Sequence, residues 1–183
     1  MNIFITHTNP SDCAKTLDDK RLNKMILETA QLLSTAANHY GVKTTYKPTH
    51  RNHPCTNWTK ESQSNYYWLY CYWQCLITEY YIRFNKFHKC DELAKELYEA
   101  KDLLPKGKLT KWANCTTFKH LEDTYEAYKQ YLCFKWDNDK RPAKWTNRET
   151  PIFYIEHNKL KKDDNSNINK NNEDTNENLN YFV

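Results

Sequence analysis

The stretch Asp18-Asp19-Lys20-Arg21-Leu22-Asn23-Lys24-Met25-Ile26-Leu27-Glu28-Thr29-Ala30-Gln31 opens the strongest helical pattern in the chain. At about 100° per residue, Leu22, Ile26, Thr29, Leu33, Ala37 and Tyr40 fall on one face, with Met25 and Ala36 beside them. Arg21, Lys24, Glu28, Gln31 and Thr35 form a polar line along the flank of that face. Glu28 is therefore a lone carboxylate within a basic stripe, held ionised by cations one turn away. Lys24–Glu28 is equally an ordinary i,i+4 ion pair, worth about 0.2–0.5 kcal/mol. A surface pair and an active-site acid both remain open readings.

Outward from this helix the pattern stays helical. Asp18 or Asp19 caps its start, and it runs to Tyr40 and stops at Gly41. Upstream, Met1–Thr6 is a short, apolar, extended start, followed by Asn9-Pro10 and a short helix to about Leu17. Downstream, residues 42–53 form a polar, basic loop, and helix restarts at Pro54. Ser62 or Ser64 begins a second long helix through Phe84. Asp91 caps a third over Glu92–Leu104, and residues 119–135 make a fourth. These spacings predict an all-α, single-domain helical bundle with a short extended N-terminal segment and a disordered C-terminal tail. The division falls near residue 160, with a globular domain over 1–160 and an Asn-rich acidic tail over 161–183, whose polar low complexity cannot offset ordering entropy.

Composition narrows the function classes. Two glycines in 183 residues argue against a Rossmann fold, a P-loop or tight hairpins, all of which need positive φ. No apolar run reaches 18 residues and no charged-then-apolar leader is visible, so neither a membrane partner nor secretion is expected. Seven cysteines give no disulfide framework and read as reduced thiols in an intracellular setting. Cys71 and Cys75 share a helix face, but Cys-x3-Cys without a second pair is a poor zinc signal, and no metal or cofactor is expected. Residues 163–183 hold one lysine and five acids, so the chain's net +4 leaves +8 on residues 1–162. A basic body suits a polyanion such as DNA.

Candidate contacts are the basic and aromatic positions. The nine aromatics between Tyr66 and Phe84 cover every side of the second long helix, which favours a buried core helix over a base-stacking platform. Trp145, flanked by Arg141, Lys144 and Arg148, has the cationic neighbourhood of a nucleic-acid contact; the competing reading is a solvated loop whose Trp packs inward. His50, Arg51 and His53 lie in the basic loop just before a helix start, where backbone N–H groups attract anions; His53 can equally be a plain helix cap. Arg21, Lys24 and Gln31 complete the expected nucleic-acid contacts. No Ser–His–Asp elbow, Walker loop, His-Glu-x-x-His or paired-carboxylate motif is present. Chemistry is left to Glu28, the basic residues and the chain's own N-terminus.

Asp19-Lys20-Arg21-Leu22-x5-Glu28 resembles the Asp-Gln-His-Leu-x5-Glu pattern of pyrimidine-dimer DNA glycosylases of the endonuclease V type. Asn52-His53-Pro54, the aromatic helix after it, and Lys140-Arg141-Pro142-x2-Trp145 follow that family's order. Over residues 1–155 the chain is also similar to small proteins of tailed phages and large DNA viruses that begin Met-Asn-Ile-Phe and share Lys-Met-Ile-Leu-Glu-Thr-Ala-Gln and Asn-His-Pro-Cys. The resemblance implies a viral DNA-repair protein whose N-terminal amine attacks deoxyribose C1′ to form a Schiff base, with Glu28 stabilising the sugar cation. Asn2 is too bulky for efficient removal of the preceding Met, so the amine would be that of Met1. An α-amine has a reference pKa of about 7.7–8.0 against about 10.4 for lysine, so far more of it is neutral at pH 7. The alternative is a non-catalytic binder of nucleic acid or of a host factor on the same scaffold. The catalytic pairing requires the Met1 nitrogen and the Glu28 carboxylate to lie within about 6 Å.

Overall fold

The computed structural model describes residues 1–163; the expected disordered segment from residue 164 on, with Tyr181-Phe182-Val183, lies outside the described residues. Among the described residues every regular element is helical. They are α1 (Pro10–Thr16), α2 (Asp19–His39), α3 (Pro54–Glu61), α4 (Gln63–Phe84), α5 (Ala94–Ala100) and α6 (Thr124–Asp137), and α7 over residues 152–163. None is long and apolar enough to cross a membrane.

Local chemistry sets the boundaries. Asn9 accepts a hydrogen bond from Ser11 N ahead of Pro10, and Ser62 accepts one from Asn65 N to start α4. After α2, Gly41 takes φ +86°, the left-handed conformation that suits glycine at a helix end. The third expected helix is shorter than Glu92–Leu104. Lys89–Leu93 and Lys101–Leu103 are 3-10 turns on either side of α5, and His88, not Asp91, caps the entry by accepting from Cys90 N. The fourth begins at Thr124 because Asp123 accepts from Tyr125 N and Glu126 N.

The two long helices, α2 and α4, pack on each other, α1 lies against α4, and α3 bridges both. Leu22, Met25, Ile26, Thr29, Leu33, Ala36 and Ala37 are buried, as the periodicity of α2 requires. On α4, Tyr66, Tyr72 and Trp73 are fully buried. Their polar tips limit where neighbours sit: Trp73 Nε1 donates to Ile26 O at 3.1 Å and the Tyr66 hydroxyl to Leu97 O at 2.8 Å.

One part of α4 is charged yet buried. Glu79 is 3% exposed and Arg83 3% exposed, a pairing the aromatic pattern hid. Arg83 donates to Glu79 Oε1 (2.8 Å), Leu17 O (2.7 Å), Lys15 O (2.9 Å) and Asp19 Oδ1 (3.1 Å). Arg148 completes a two-point bond to Glu79 at 2.8 and 2.9 Å. Burial pushes the Glu79 carboxyl up, but hydrogen bonds and charge from Arg148 and Arg83 outweigh it, and its pKa falls below the ordinary 4.5.

Met1–Glu149 form one compact unit, and residues 150–163 belong to a second, described by itself. Its helix α7 was not expected; it runs past residue 160, where composition placed the division. Thr150-Pro151 carried the start signal, and Pro151 O accepts from Tyr154 N and Ile155 N to close its first turn.

Replacing Arg83 by Met leaves buried carbonyls and carboxylates without their donor, with an expected loss of about 3–5 kcal/mol in urea unfolding. Because the folded pKa of Glu79 is depressed, its contribution is present above the unfolded value and is lost as pH falls through the folded one. Glu79→Gln is therefore expected to flatten the loss of stability as pH falls below about 5.

Candidate active site

The first six residues run as extended chain without pairing as a strand, yet they are core: Ile3 is 3% exposed and Ile5 1%. Phe4 adopts φ +54°, a left-handed conformation costing a bulky residue about 1–3 kcal/mol. Its ring is held edge-on to Tyr128 and stacked on Tyr131 of α6, both at 6.1 Å between centroids. The kink at Phe4 and the apolar anchors on either side of it fix the direction in which Met1 and the buried Asn2 run.

They run towards α2. The Met1 nitrogen lies 4.0 Å from Glu28 Oε2, inside the roughly 6 Å that the pairing needs. Lys24 Nζ holds the other oxygen, Oε1, at 3.2 Å. The Glu28 side chain is 17% exposed, so the carboxylate is sheltered but reachable. His53 faces the same place from α3. Its pKa is lowered, first by burial and then by the positive Met1 nitrogen and His50, while Glu28 pulls it upward. A neutral imidazole, a chain-start nitrogen and a carboxylate thus share one electrostatic neighbourhood, assembled from three separate segments.

The other expected contacts divide into two groups. Lys24, His50, Arg51, Arg141 and Lys144 are exposed, and Gln31 is half-buried beside Glu28 on α2. His50 (φ +48°) lies in the turn before α3, where His53 N donates to His50 O, and His53 Nδ1 caps the helix by accepting from Cys55 N. The second group is tied internally. Arg21 is buried and bonds Asp18 and Asp139, both at 2.9 Å, so Lys24 alone of the two stripe cations holds Glu28. Trp145 packs inward: its Nε1 donates to Thr16 O at 2.9 Å and its ring stands edge-on to Trp136. Arg148 is bound to Glu79. The 140–148 segment thus serves chiefly as a clasp on the start of α2, where Lys144 O accepts from Asp19 N and Thr146 donates to the Asp19 carboxylate.

Sequence reading missed a group beneath the N-terminal segment. Cys55 on α3 and Cys115 lie with their sulfurs 3.4 Å apart, and His53 offers a nitrogen to the same cluster. The hydrogen bond between the two thiols pushes Cys115 down and Cys55 up. Nothing in the sequence links positions 60 residues apart; only the doublet His53-Pro54-Cys55 was legible.

A family model described as pyrimidine dimer DNA glycosylase matches residues 1–93. No curated protein and no solved structure matches the chain. The matched region contains Met1, Glu28, His50, Arg51 and His53 and excludes the 140–148 segment.

Glu28→Gln removes two partly exposed ion pairs and is expected to cost about 1 kcal/mol or less in urea unfolding. A larger loss would show that the acid is structural.

Proposed function

The chain belongs to the pyrimidine dimer DNA glycosylase family, and on that premise we propose that it is a DNA N-glycosylase with abasic-site lyase activity, using the Met1 amine and Glu28. The observation that carries this reading is the 4.0 Å separation of the Met1 nitrogen and the Glu28 carboxylate.

The chemistry follows from what the two groups can do. The neutral amine attacks C1′ of the target deoxynucleotide, the C1′–N bond breaks, and the base departs with the bonding electrons. Loss of a proton from nitrogen and opening of the sugar ring give an imine between Met1 and C1′. The sugar acquires positive charge on the way, and a fixed carboxylate facing it lowers the barrier. Glu28 suits that task because Lys24 orients one oxygen and leaves the other towards the amine. In the lyase step the imine acidifies C2′, a base removes that proton, and the C3′–O bond breaks. Glu28 is the base at hand.

A base inside a duplex cannot be reached, so the target nucleotide or its partner must leave the stack. Lys24, His50 and Arg51 are exposed basic groups on α2 and the loop before α3, and they suit phosphates on either side of the extruded nucleotide. Arg141 and Lys144 are exposed on a segment clasped to the start of α2 and suit a more distant phosphate. Trp145, Arg21 and Arg148 are tied to the fold by their own bonds.

Borohydride reduction of the protein mixed with abasic-site DNA tests the reading. The expected result is a covalent adduct whose cross-linked peptide contains Met1. Acetylating the amine abolishes it, and Glu28→Gln lowers the trapping rate at least 100-fold while salt-dependent affinity for the same DNA is kept. DNA binding without any adduct would sink the enzyme reading in favour of a binder on the same scaffold.

A further inference from the structure

We propose that His53, Cys55 and Cys115 form a binding site for a thiophilic divalent cation of the zinc class, distinct from the Met1–Glu28 pair. One donor atom from each of the three residues lies within 4.8 Å of the other two. Two sulfurs and an imidazole nitrogen, without a carboxylate, are the donor set that zinc-like ions select over magnesium or calcium. The sulfur–sulfur distance of 3.4 Å is a few tenths short of the roughly 3.8 Å that two thiolates span on a tetrahedral zinc at about 2.3 Å per bond. It is far longer than the roughly 2.0 Å of a disulfide, and both residues are free thiols.

The fold holds these donors in place from several directions. Cys55 sits in the first turn of α3 and is fully buried. Cys115 comes from the segment after α5, which has no regular structure and is pinned by other means. The amide of buried Asn65 donates to Thr110 Oγ1 at 2.7 Å and accepts from Thr110 N at 2.9 Å. The Tyr128 hydroxyl donates to Ala113 O at 2.9 Å and accepts from Cys115 N at 3.2 Å. Asn114 closes the following turn by accepting from Thr116 N at 3.0 Å. Two helices, α4 and α6, are thus committed to bringing an otherwise irregular loop to Cys55.

Three protein donors leave the fourth tetrahedral position to water or another small ligand. Binding converts both thiols to thiolates and releases their protons to solvent, and His53 gives up its hydrogen bond from Cys55 N, since a neutral imidazole has one free lone pair to offer. The cation would tie the 110–119 segment to α3 directly under the N-terminal segment. The inference does not depend on the glycosylase reading, since binding is read without DNA.

Cobalt(II) is the probe, added to the reduced full chain. One equivalent is expected to give tetrahedral d–d absorption with sulfur-to-cobalt charge transfer, both displaced by zinc. Cys55→Ser and Cys115→Ser are each expected to weaken binding at least 10-fold, whereas Cys71→Ser and Cys75→Ser keep it. His53→Asn retains a helix-capping side chain while removing the ligand, so weaker cobalt binding by a folded His53→Asn protein reports coordination rather than folding. Zinc is expected to raise the melting temperature of the parent and not of Cys115→Ser. Absence of the charge-transfer band, its persistence in both Cys55→Ser and Cys115→Ser, or a Cys55–Cys115 disulfide in zinc-treated reduced protein would overturn the proposal.

Discussion

The candidate site depends on one constraint: the start of the chain is buried. A chain terminus ordinarily frays, because its few contacts do not offset the entropy of ordering it. Here Ile3 and Ile5 are as deeply buried as any core residue, and Phe4 is wedged among the tyrosines of α6. At about 1.5–3 kcal/mol for each fully buried side chain, these anchors outweigh the strain of a left-handed Phe4. The result is a chain-start nitrogen fixed relative to Glu28, where a free terminus would spread its nitrogen over many positions. In the proposed attack on C1′, an amine held in one geometry would gain from this fixing.

A second constraint keeps α2 in register with that segment. Arg83 reaches from α4 to carbonyls at the end of α1 and to Asp19 at the start of α2. Asp18 accepts from Trp136 of α6 and from Arg21, and Asp19 accepts from Thr146. The first turn of α2 is thus gripped by polar groups from three other parts of the chain, with Glu28 nine residues on. Buried charge seldom adds net stability over a well-packed apolar alternative. What these groups supply is a fixed axial position for α2 relative to α1 and α4, which apolar contact alone specifies loosely.

The helices were legible because their signals are local. Leu22 to Ala37 carry a 3.6-residue period, Asn9-Pro10 and Ser62 carry caps, and Gly41 ends α2 with a conformation that suits glycine. Glu28 and the Met1 pairing were legible from a family-like spacing. The rest depended on tertiary contacts that have no periodic trace. Trp145 among three cations reads as a nucleic-acid contact in one dimension, yet its indole nitrogen bonds Thr16, 129 residues away. Arg21 lies on the polar line of α2, but Asp139 comes over it from the segment after α6 and buries it. Glu79 and Arg83 were hidden by the aromatics around them, since a charged pair one turn apart reads as a surface pair until its environment is known. Cys115 carried no signal at all.

The same economy explains why the chain's basic residues are not one surface. Of the ten positions whose chemistry suits nucleic acid, three are consumed by the fold: Arg21 by two aspartates, Arg148 by Glu79, and Trp145 by the hydrophobic interior. Lys24 and the Met1 nitrogen meet Glu28 directly and His53 lies within its electrostatic reach, whereas Arg51 lies against Thr35, Asn38 and His39 further along α2. In the proposed reaction a polyanion would meet an acid already paired, with Lys24 at one carboxylate oxygen and the Met1 nitrogen facing the other. Attraction of the phosphates and stabilisation of a sugar cation demand opposite charges within a few ångströms. Pairing the acid with Lys24 and with the Met1 nitrogen, the nucleophile of the proposed reaction once deprotonated, would accommodate both.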